Sequence, residues 1–182
     1  MNAALTISPA TPADACAIAD IYAHHVLHGV ATFEIVPPDV REMAGRMSSL
    51  LDAGSPWLVA RDDGGEILGY AYAGQLGPRA AFRFACEDSI YLRHDRLGQG
   101  IGRALLAALI EAAGASGFRQ MVALIAAVAG AYPASLALHA RAGFAACGKL
   151  ESVGRKHGQW IDVHYLQRVL GEGDRTPPSQ EP

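Results

Sequence analysis

Closely spaced glycines in the middle of the chain are the first feature with a clear chemical meaning. Gly98, Gly100 and Gly102 follow an apolar segment that predicts a strand, and they open a segment, residues 100–116, with the apolar spacing of a helix. Glycines at a helix N-terminus let backbone N–H groups approach a bound anion, and the helix dipole favours negative charge there. The turn therefore predicts a phosphate-binding site, although the same glycines also suit tight packing between a strand and a helix.

Two common nucleotide-binding patterns do not match this glycine turn. A Walker loop requires Gly-Lys-Ser or Gly-Lys-Thr, and neither occurs. A dinucleotide-binding turn requires G-x-G-x-x-G and an acidic residue about 20 residues later. Here the spacing is G-x-G-x-G, and no acidic residue lies between Glu111 and Glu151. The turn can therefore bind a phosphate-bearing ligand of another kind, such as a coenzyme.

Two adjacent acids, Glu87 and Asp88, lie on the predicted strand that leads into the turn. Side chains alternate between the two faces of a strand, so we expect one carboxylate on each face. A carboxylate buried beside apolar neighbours has a raised pKa and can act as a general base, whereas an exposed one is only a surface charge. The residues alone leave both interpretations open for Glu87.

Predicted helices and strands on either side of this segment indicate how the turn and the acids are positioned. Helices are predicted at residues 11–29, 39–54, 100–116 and 133–142. Strands are predicted at residues 5–7, 57–61, 67–73, 82–93, 120–126, 144–153 and 160–169. Because hairpins interrupt the alternation, we expect an α/β protein with a mixed sheet and helices on both faces. The continuous apolar run at 120–126 predicts a strand covered on both of its faces.

Length, charge and cysteine usage limit the class of protein. The 182 residues predict one domain at 1–171, followed by a mobile Gly/Pro-rich tail at 172–182. The net charge of −3 and the lack of a Lys/Arg-rich run disfavour nucleic acid or a membrane surface as partners. The N-terminus lacks a basic start followed by an apolar run, and Cys16, Cys86 and Cys147 show no C-x-x-C spacing. A cytoplasmic protein is expected.

Short motifs along nearly the whole chain, from residue 7 to residue 171, resemble those of one enzyme family. They are ATFE (31–34), PWLVA (56–60), GYAYAG (69–74), EDSIYL (87–92), GQGIGRALL (98–106), GFRQMVA (117–123), LHARAGF (138–144) and KHGQWIDV (156–163). The chain resembles the GNAT family of N-acetyltransferases, and within it the phosphinothricin and methionine sulfone acetyltransferases. The resemblance implies an enzyme that binds acetyl-CoA and acetylates the amine of a small molecule.

The same resemblance implies the fold and the acetyl-CoA site. The GNAT fold is a mixed, mostly antiparallel sheet that splays open in the middle, here between the strands of residues 87–92 and 121–126. The pantetheine arm would lie in that gap, with the pyrophosphate on the backbone amides of the glycine turn. The residues that would contact acetyl-CoA are Ile90, Tyr91, Leu92, Arg96, Leu97, Gly98, Gln99, Gly100, Ile101, Gly102, Arg103 and Tyr132.

Two departures from the family pattern fall within this set. Leu97 stands where the family usually has Arg or Gln. The segment 126–132 is altered and slightly longer, with Tyr132 near the place of an Asn that touches the cofactor.

For proton transfer, the resemblance points to Glu87 and His139. Glu87 matches the family's catalytic acid, which would take a proton from the attacking amine. His139 occupies the place of a Tyr or His that would protonate the departing thiolate. A histidine whose hydrogen bonds are satisfied within a helix is an equally good interpretation of His139.

Candidate acceptor-binding residues are Phe33, Arg79 and Arg83. A guanidinium can hold a carboxylate or phosphinate with two hydrogen bonds, so the arginines favour an anionic acceptor; the alternative is that they are solvated. Phe33 and Trp160 match aromatic positions of the family and equally suit a core or dimer contact.

The histidines at 24, 25 and 28 raise the question of a metal site. His24 and His28 share a helix face, but no carboxylate or cysteine at ligand spacing completes a set. We expect no metal.

The sequence thus predicts an acetyl-CoA-dependent N-acetyltransferase that acts by direct attack on the thioester. The acceptor would be the α-amino group of a small amino acid or analogue, of the phosphinothricin, methionine sulfone or methionine sulfoximine type. A non-catalytic acyl-CoA-binding or sensing module is one alternative, suggested by the altered segment 126–132. An acetyltransferase for an unrelated amine, such as a polyamine or a peptide N-terminus, is another. By resemblance we also expect a homodimer, with residues 156–160 near the partner's site.

Overall fold

A mixed sheet forms the centre of the protein, which the computed structural model describes over residues 5–178. Within that range the sheet has seven strands in the order β1-β2-β3-β4-β5-β7-β6. The strands are β1 (Thr6–Pro9), β2 (Trp57–Arg61), β3 (Ile67–Gln75), β4 (Ala85–Leu92), β5 (Gln120–Val128), β6 (Ala145–Lys156) and β7 (Gln159–Val169). Five of the six neighbouring pairs are antiparallel, and the pair β4–β5 is parallel.

Helices cover both faces of the sheet, as the sequence predicted. The helices α1 (Ala15–His28) and α2 (Val40–Asp52) pack on one face. On the other face lie α3 (Ile101–Ala115) and α4 (Ala134–Arg141). Each face has its own apolar core, with Ile18, Met47, Val59 and Tyr70 on the α1/α2 side and Leu105, Leu109, Met121 and Phe144 on the α3/α4 side.

The sheet opens between β4 and β5. Their parallel pairing begins at Ala85 with Gln120 and ends at Asp88 with Ala123. Both strands continue beyond that point, β4 to Leu92 and β5 to Val128, without further pairing to each other. Since β4 stays paired with β3 and β5 with β7, the two halves of the sheet diverge and leave a gap. This is the splay that the sequence resemblance predicted.

Two details of the strands differ from the prediction. The strand expected at 82–93 begins only at Ala85, because residues 80–82 form a 3₁₀ turn held by hydrogen bonds from Phe82 N to Arg79 O and from Arg83 N to Ala80 O. The prediction that β5 is covered on both faces is also wrong. Its residues alternate between buried and half-buried along the whole strand, including Gln120 and Val122 where β5 is still paired with β4, so only one face is fully covered.

The C-terminal residues 172–178 lie beside Arg119, a residue between α3 and β5. The Arg119 guanidinium donates hydrogen bonds to the Gly173 carbonyl (3.2 Å) and the Thr176 hydroxyl (3.3 Å). The mobility expected for 172–182 stays a prediction, and residues 179–182 lie outside the described range. No helix within residues 5–178 has the length and apolar character needed to cross a bilayer.

Candidate active site

A cleft of about 280 Å³ occupies the gap between β4 and β5. Its walls come from the diverging ends of the two strands, with α4 and the segment after α1 closing its sides. Among the residues expected to hold a pantetheine arm, Ile90 and Tyr91 line this cleft. Leu92 does not, and its carbonyl accepts a hydrogen bond from His25 Nε2 at 2.8 Å. The cleft is an open slot in the sheet whose walls include unpaired main chain of β4.

The glycine turn precedes α3 and has the backbone shape that only glycine adopts without strain. Gly98 and Gly100 have φ values of 75° and 82°, in the left-handed region. A Cβ built on either would meet no atom within 4 Å, so the space beside the turn is free for a ligand. The first N–H groups of a helix have no partner within it, so those at the start of α3 can bind an anion. A pyrophosphate fits this turn.

Side chains around the turn contribute less than its backbone. Arg96 already faces the carboxylates of Glu66 (3.6 Å) and Asp95 (4.0 Å). Leu97, Gln99 and Arg103 are exposed, whereas Ile101 and Gly102 are buried at the start of α3. The glycine turn thus offers backbone amides to an anion, while Arg96 already faces two carboxylates and position 97 carries no polar side chain.

Glu87 faces the α1/α2 side of the sheet, half-buried. Its partner on the adjacent strand β3 is Gly74. A Cβ at Gly74 would come within 2.9 Å of the Leu50 side chain, so α2 approaches the sheet closely here. Burial, and then the charge of Asp88, raise the pKa of the Glu87 carboxyl. Tyr72, opposite Ser89 in the β3–β4 register, has its own pKa raised by burial and by the charge of Glu87. Glu87 therefore has the environment of a general base.

Asp88 faces the opposite side of the sheet and pairs with His139 of α4. Asp88 Oδ2 lies 3.0 Å from His139 Nε2, and the two side chains are 1% and 4% exposed. His139 Nδ1 lies 2.7 Å from the Ser135 carbonyl oxygen. Burial lowers the pKa of His139, but the hydrogen bond and charge of Asp88 outweigh it, so the pKa is raised. Both residues line the cleft.

The segment after α1 is held by a polar network that motif analysis did not assign. Arg46 of α2 donates hydrogen bonds to both Glu34 oxygens (2.7 and 3.2 Å), and the Tyr22 hydroxyl donates to the same carboxylate at 2.9 Å. Lys156, buried at the end of β6, donates to the Thr32 carbonyl at 2.9 Å. Glu34 and Lys156 belong to the ATFE and KHGQWIDV motifs, which were the only signal of this network in the sequence.

The remaining predicted site residues lie outside the lining of the cleft. Phe33, 47% exposed, packs against Gly154 of β6, where a Cβ would overlap the phenyl ring. Arg79 is exposed on the 3₁₀ turn, while the Arg83 guanidinium stacks over the Phe84 ring at 4.6 Å. Tyr132 is 73% exposed in the turn before α4.

The histidines considered as metal ligands have other contacts. His25 donates to the Leu92 carbonyl, and the rings of His24 and His94 stack at 3.9 Å. Over residues 5–178, no three or more His, Cys, Asp or Glu side chains are arranged to hold a metal ion.

Comparison with known proteins places these features in a family. Residues 18–144 match the model of the "Acetyltransferase (GNAT) family". The chain is 49% identical over 175 residues to a phosphinothricin N-acetyltransferase of Alcaligenes faecalis, covering 96% of this chain and 87% of the relative. It is 39% identical to an L-methionine sulfoximine/L-methionine sulfone acetyltransferase of Pseudomonas paraeruginosa, covering 94% and 98%.

Solved structures show the same architecture. A GNAT superfamily phosphinothricin acetyltransferase from Sinorhizobium meliloti, solved with acetyl-CoA, superposes with a TM-score of 0.92 at 47% identity, covering 99% of this chain and 95% of that one. A putative acetyltransferase from Salmonella typhimurium, solved with acetyl-CoA, superposes with a TM-score of 0.89 at 33% identity. The match covers 97% of this chain and 99% of that one. The splayed sheet and the glycine turn described above agree with these matches, and the predicted fold and enzyme class are confirmed. The chain belongs to the GNAT family of acetyltransferases.

Proposed function

We propose that this enzyme moves the acetyl group of acetyl-CoA to the α-amine of a small amino acid or close analogue, of the phosphinothricin, methionine sulfone or methionine sulfoximine type. The observation that carries the proposal is the placement of Glu87 and His139 on opposite faces of the sheet at the start of the splay, with His139 in the lining of the cleft and Glu87 beside the end of the β4–β5 pairing. The names of the relatives at 49% and 39% identity support the acceptor class. One face of the sheet can remove a proton and the other can supply one.

Binding of acetyl-CoA is assigned to the backbone of β4 and of the glycine turn. The amides of residues 98–102 hold the pyrophosphate, since their glycines leave the space open and α3 adds its dipole. The main chain of Ile90, Tyr91 and Leu92 faces the pantetheine arm along the part of β4 that is paired with β3 but no longer with β5. Arg96 and Arg103 add positive charge nearby, and Leu97, Gln99 and Ile101 shape the turn. Tyr132, exposed before α4, is assigned a contact at the outer end of the site.

Chemistry follows from what Glu87 and His139 can do with a proton. Glu87 takes a proton from the acceptor ammonium, directly or through water, and the free amine attacks the thioester carbonyl. The nitrogen gives up its second proton to Glu87, which has by then passed the first one to solvent. The carbon–sulfur bond breaks, and His139 supplies a proton to the sulfur as it leaves. No residue forms a bond to the acetyl group. The raised pKa of Glu87 suits this task, because a carboxylate of ordinary pKa is a weak base.

Acceptor choice is assigned to Arg83, Arg79 and Phe33. The Arg83 guanidinium donates from Nη1 to the Ala80 carbonyl at 3.1 Å, and its remaining Nη hydrogens can donate to an anionic group. Phe33 presents an aromatic ring from the segment that Glu34 and Lys156 hold in place. An acceptor with both a free α-amine and an acidic group satisfies these residues best.

An acceptor screen tests the proposal. The purified enzyme is mixed with acetyl-CoA and one acceptor, and the release of free thiol is followed. Phosphinothricin, methionine sulfone and methionine sulfoximine are expected to react, whereas spermidine is not. Strong activity on spermidine with none on the three amino acids would refute the acceptor class while leaving the acetyltransferase assignment intact.

We also propose that the enzyme is a cytoplasmic homodimer. The strand β6 forms one edge of the sheet, and Leu150, Val153 and Trp160 on β6 and β7 are about half exposed. Apolar side chains on an unpaired edge are typical of a surface that another chain covers. The free thiols of Cys16, Cys86 and Cys147 suit a reducing compartment. Sedimentation at micromolar concentration should give twice the monomer mass, and a monomer would refute the assembly.

A further inference from the structure

His139, Asp88 and Ser135 form a buried hydrogen-bonded chain beneath the cleft. The chain joins β4 to α4, and its two titratable side chains are almost without solvent contact. Asp88 Oδ1 is buried and has no hydrogen-bond partner, although Asp88 lines the cleft. A buried carboxylate is costly unless its charge is compensated, so the protonation of this pair is tightly constrained.

The hydrogen bonds from Ser135 to Asp88 determine how many protons the Asp88–His139 pair carries. The Ser135 carbonyl can only accept, so the contact of 2.7 Å requires a hydrogen on His139 Nδ1. A neutral imidazole with its hydrogen on Nδ1 has a lone pair on Nε2, which would face the Asp88 carboxylate at 3.0 Å. Two lone pairs at that distance repel, so a second proton lies between them. The pair therefore contains one proton more than a carboxylate and a neutral imidazole.

The surroundings favour the form with both charges, an imidazolium and a carboxylate. The only charged group that acts on His139 among the residues described is Asp88, and the edge of the Phe144 ring covers the imidazole at 5.0 Å between centroids. On β4, Asp88 is flanked by the Cys86 thiol, whose pKa is raised to about 12 mainly by burial, and by Glu87. No second cation described near the pair competes with His139 for the carboxylate.

Loss of the extra proton would require the ring to move. Ser135 Oγ lies 3.3 Å from His139 Nδ1 and can donate to Nδ1 of a neutral ring that keeps its hydrogen on Nε2. The Nδ1 lone pair would then face the Ser135 carbonyl oxygen at 2.7 Å, where two lone pairs repel. The observed ring position therefore belongs to the protonated form.

We propose that Asp88 is a positioning residue that keeps His139 protonated in the wall of the cleft, so that the proton on His139 Nε2, which lies between the two side chains, can pass to the sulfur of the departing CoA. The inference rests on the proposed function. In the step, the amine nitrogen bonds to the carbonyl carbon, the carbon–sulfur bond breaks, and the sulfur takes one proton from His139. Glu87 takes the first proton from the acceptor ammonium and passes it to solvent before the attack, and it takes the second proton that the nitrogen loses as the amide forms. His139 regains one proton from solvent before the next turnover. Nitrogen thus loses two protons and sulfur gains one, so each turnover releases one proton to solvent.

The test combines imidazole titration with pH profiles for wild type, Asp88→Asn and His139→Gln. The histidine resonances are followed by NMR, and the signal missing in His139→Gln identifies His139. In wild type we expect His139 to stay protonated through neutral pH. In Asp88→Asn the carboxylate is gone and burial remains, so His139 should be neutral at pH 7. The alkaline limb of kcat should move to lower pH, with a loss of about 10²-fold at pH 8 and little change in KM for acetyl-CoA.

Asp162→Asn is the matched control, because Asp162 is also a buried strand carboxylate but bonds to Ser152 N and Lys149. It should leave the pH profile unchanged. A wild-type His139 that is neutral at pH 7, which needs no folded variant to observe, would overturn the proposal. An unaltered profile in Asp88→Asn or full activity in His139→Gln would also overturn it. If wild type acetylated no amine, the proposed function would fail, whereas the titration would still decide the protonation of the pair.

Discussion

Glu87 and Asp88 are neighbours in sequence, yet the two faces of β4 give their carboxylates different environments. On the α1/α2 face, Glu87 is half-buried beside Tyr72 and Ser89, and its pKa is raised. On the α3/α4 face, Asp88 is bonded to His139. A base must be free to accept a proton, whereas a pair that stores a proton must hold it between two partners. Strand β4 supplies both environments one residue apart, on opposite faces of the sheet where the splay begins.

The largest effect is expected from Glu87→Gln, which removes the base and leaves the Asp88–His139 pair in place. The amide keeps the shape but cannot accept a proton, so kcat should fall by roughly 10²–10⁴-fold. Wild-type activity should decline as the pH falls through the raised pKa of Glu87, because protonation removes the base. This acid limb should be absent in the variant.

Steady-state rates from pH 5 to pH 9, with calorimetry of acetyl-CoA binding, provide the check. Binding should be unchanged, since Glu87 is not assigned to the acetyl-CoA site. A variant that turns over at the wild-type rate across this range would place the base elsewhere.

Arg83→Ala tests whether the acceptor carries an acidic group that Arg83 holds. If the guanidinium holds an acidic group, esterification of the acceptor should cost wild type about ten- to a hundredfold in kcat/KM, and cost the variant much less. The ratio of the four specificity constants isolates this interaction. Equal rates for ester and free acid in wild type would contradict the role of Arg83.

Gly100→Glu separates binding of acetyl-CoA from both proton-transfer faces. Gly100 has a φ of 82°, so a side chain is strained there, and a carboxylate would repel the pyrophosphate at the start of α3. A loss of roughly 2 kcal/mol, or about thirtyfold in Kd, is expected by calorimetry. Gly54→Glu is the matched control, because Gly54 also has a positive φ (75°) and no atom within 4 Å of its Cβ position, but lies after α2. Unchanged affinity in a folded Gly100→Glu protein would rule out the glycine turn as the anion site.

The smallest effect concerns stability on the Asp88 face. Because the folded-state pKa of His139 is raised, the pair stabilises the fold below about pH 6.5, the usual pKa of an unfolded histidine, and the stabilisation disappears as the pH rises through the folded-state pKa. Between pH 6 and strongly alkaline pH, the free energy of unfolding of wild type should therefore fall by about 1 kcal/mol relative to that of Asp88→Asn. Urea unfolding at both pH values measures the difference, and parallel pH dependence in the two proteins would contradict it.

The features of the fold and site that could be predicted from the sequence are those that local periodicity sets. The alternation that separates Glu87 from Asp88, the glycine turn before α3 and the positions of the helices follow from neighbouring residues, and the structure agrees with them. The motifs also predicted the splay between β4 and β5, although only through resemblance to a family. Where local hydrogen bonds compete, prediction was wrong by a few residues, as at the 3₁₀ turn that delays β4 to Ala85.

The partners of the polar residues were decided by the tertiary structure. Asp88 meets His139 across 51 residues of sequence, and Lys156 reaches the Thr32 carbonyl across 124. No periodicity links such positions, because their contact depends on how α4 and β6 pack against the sheet. The sequence by itself determined which residues could carry a proton and on which face of a strand they lie. Only the packing of α4 on β4 decided that one carboxylate is held by a histidine while its neighbour is left free to act as a base.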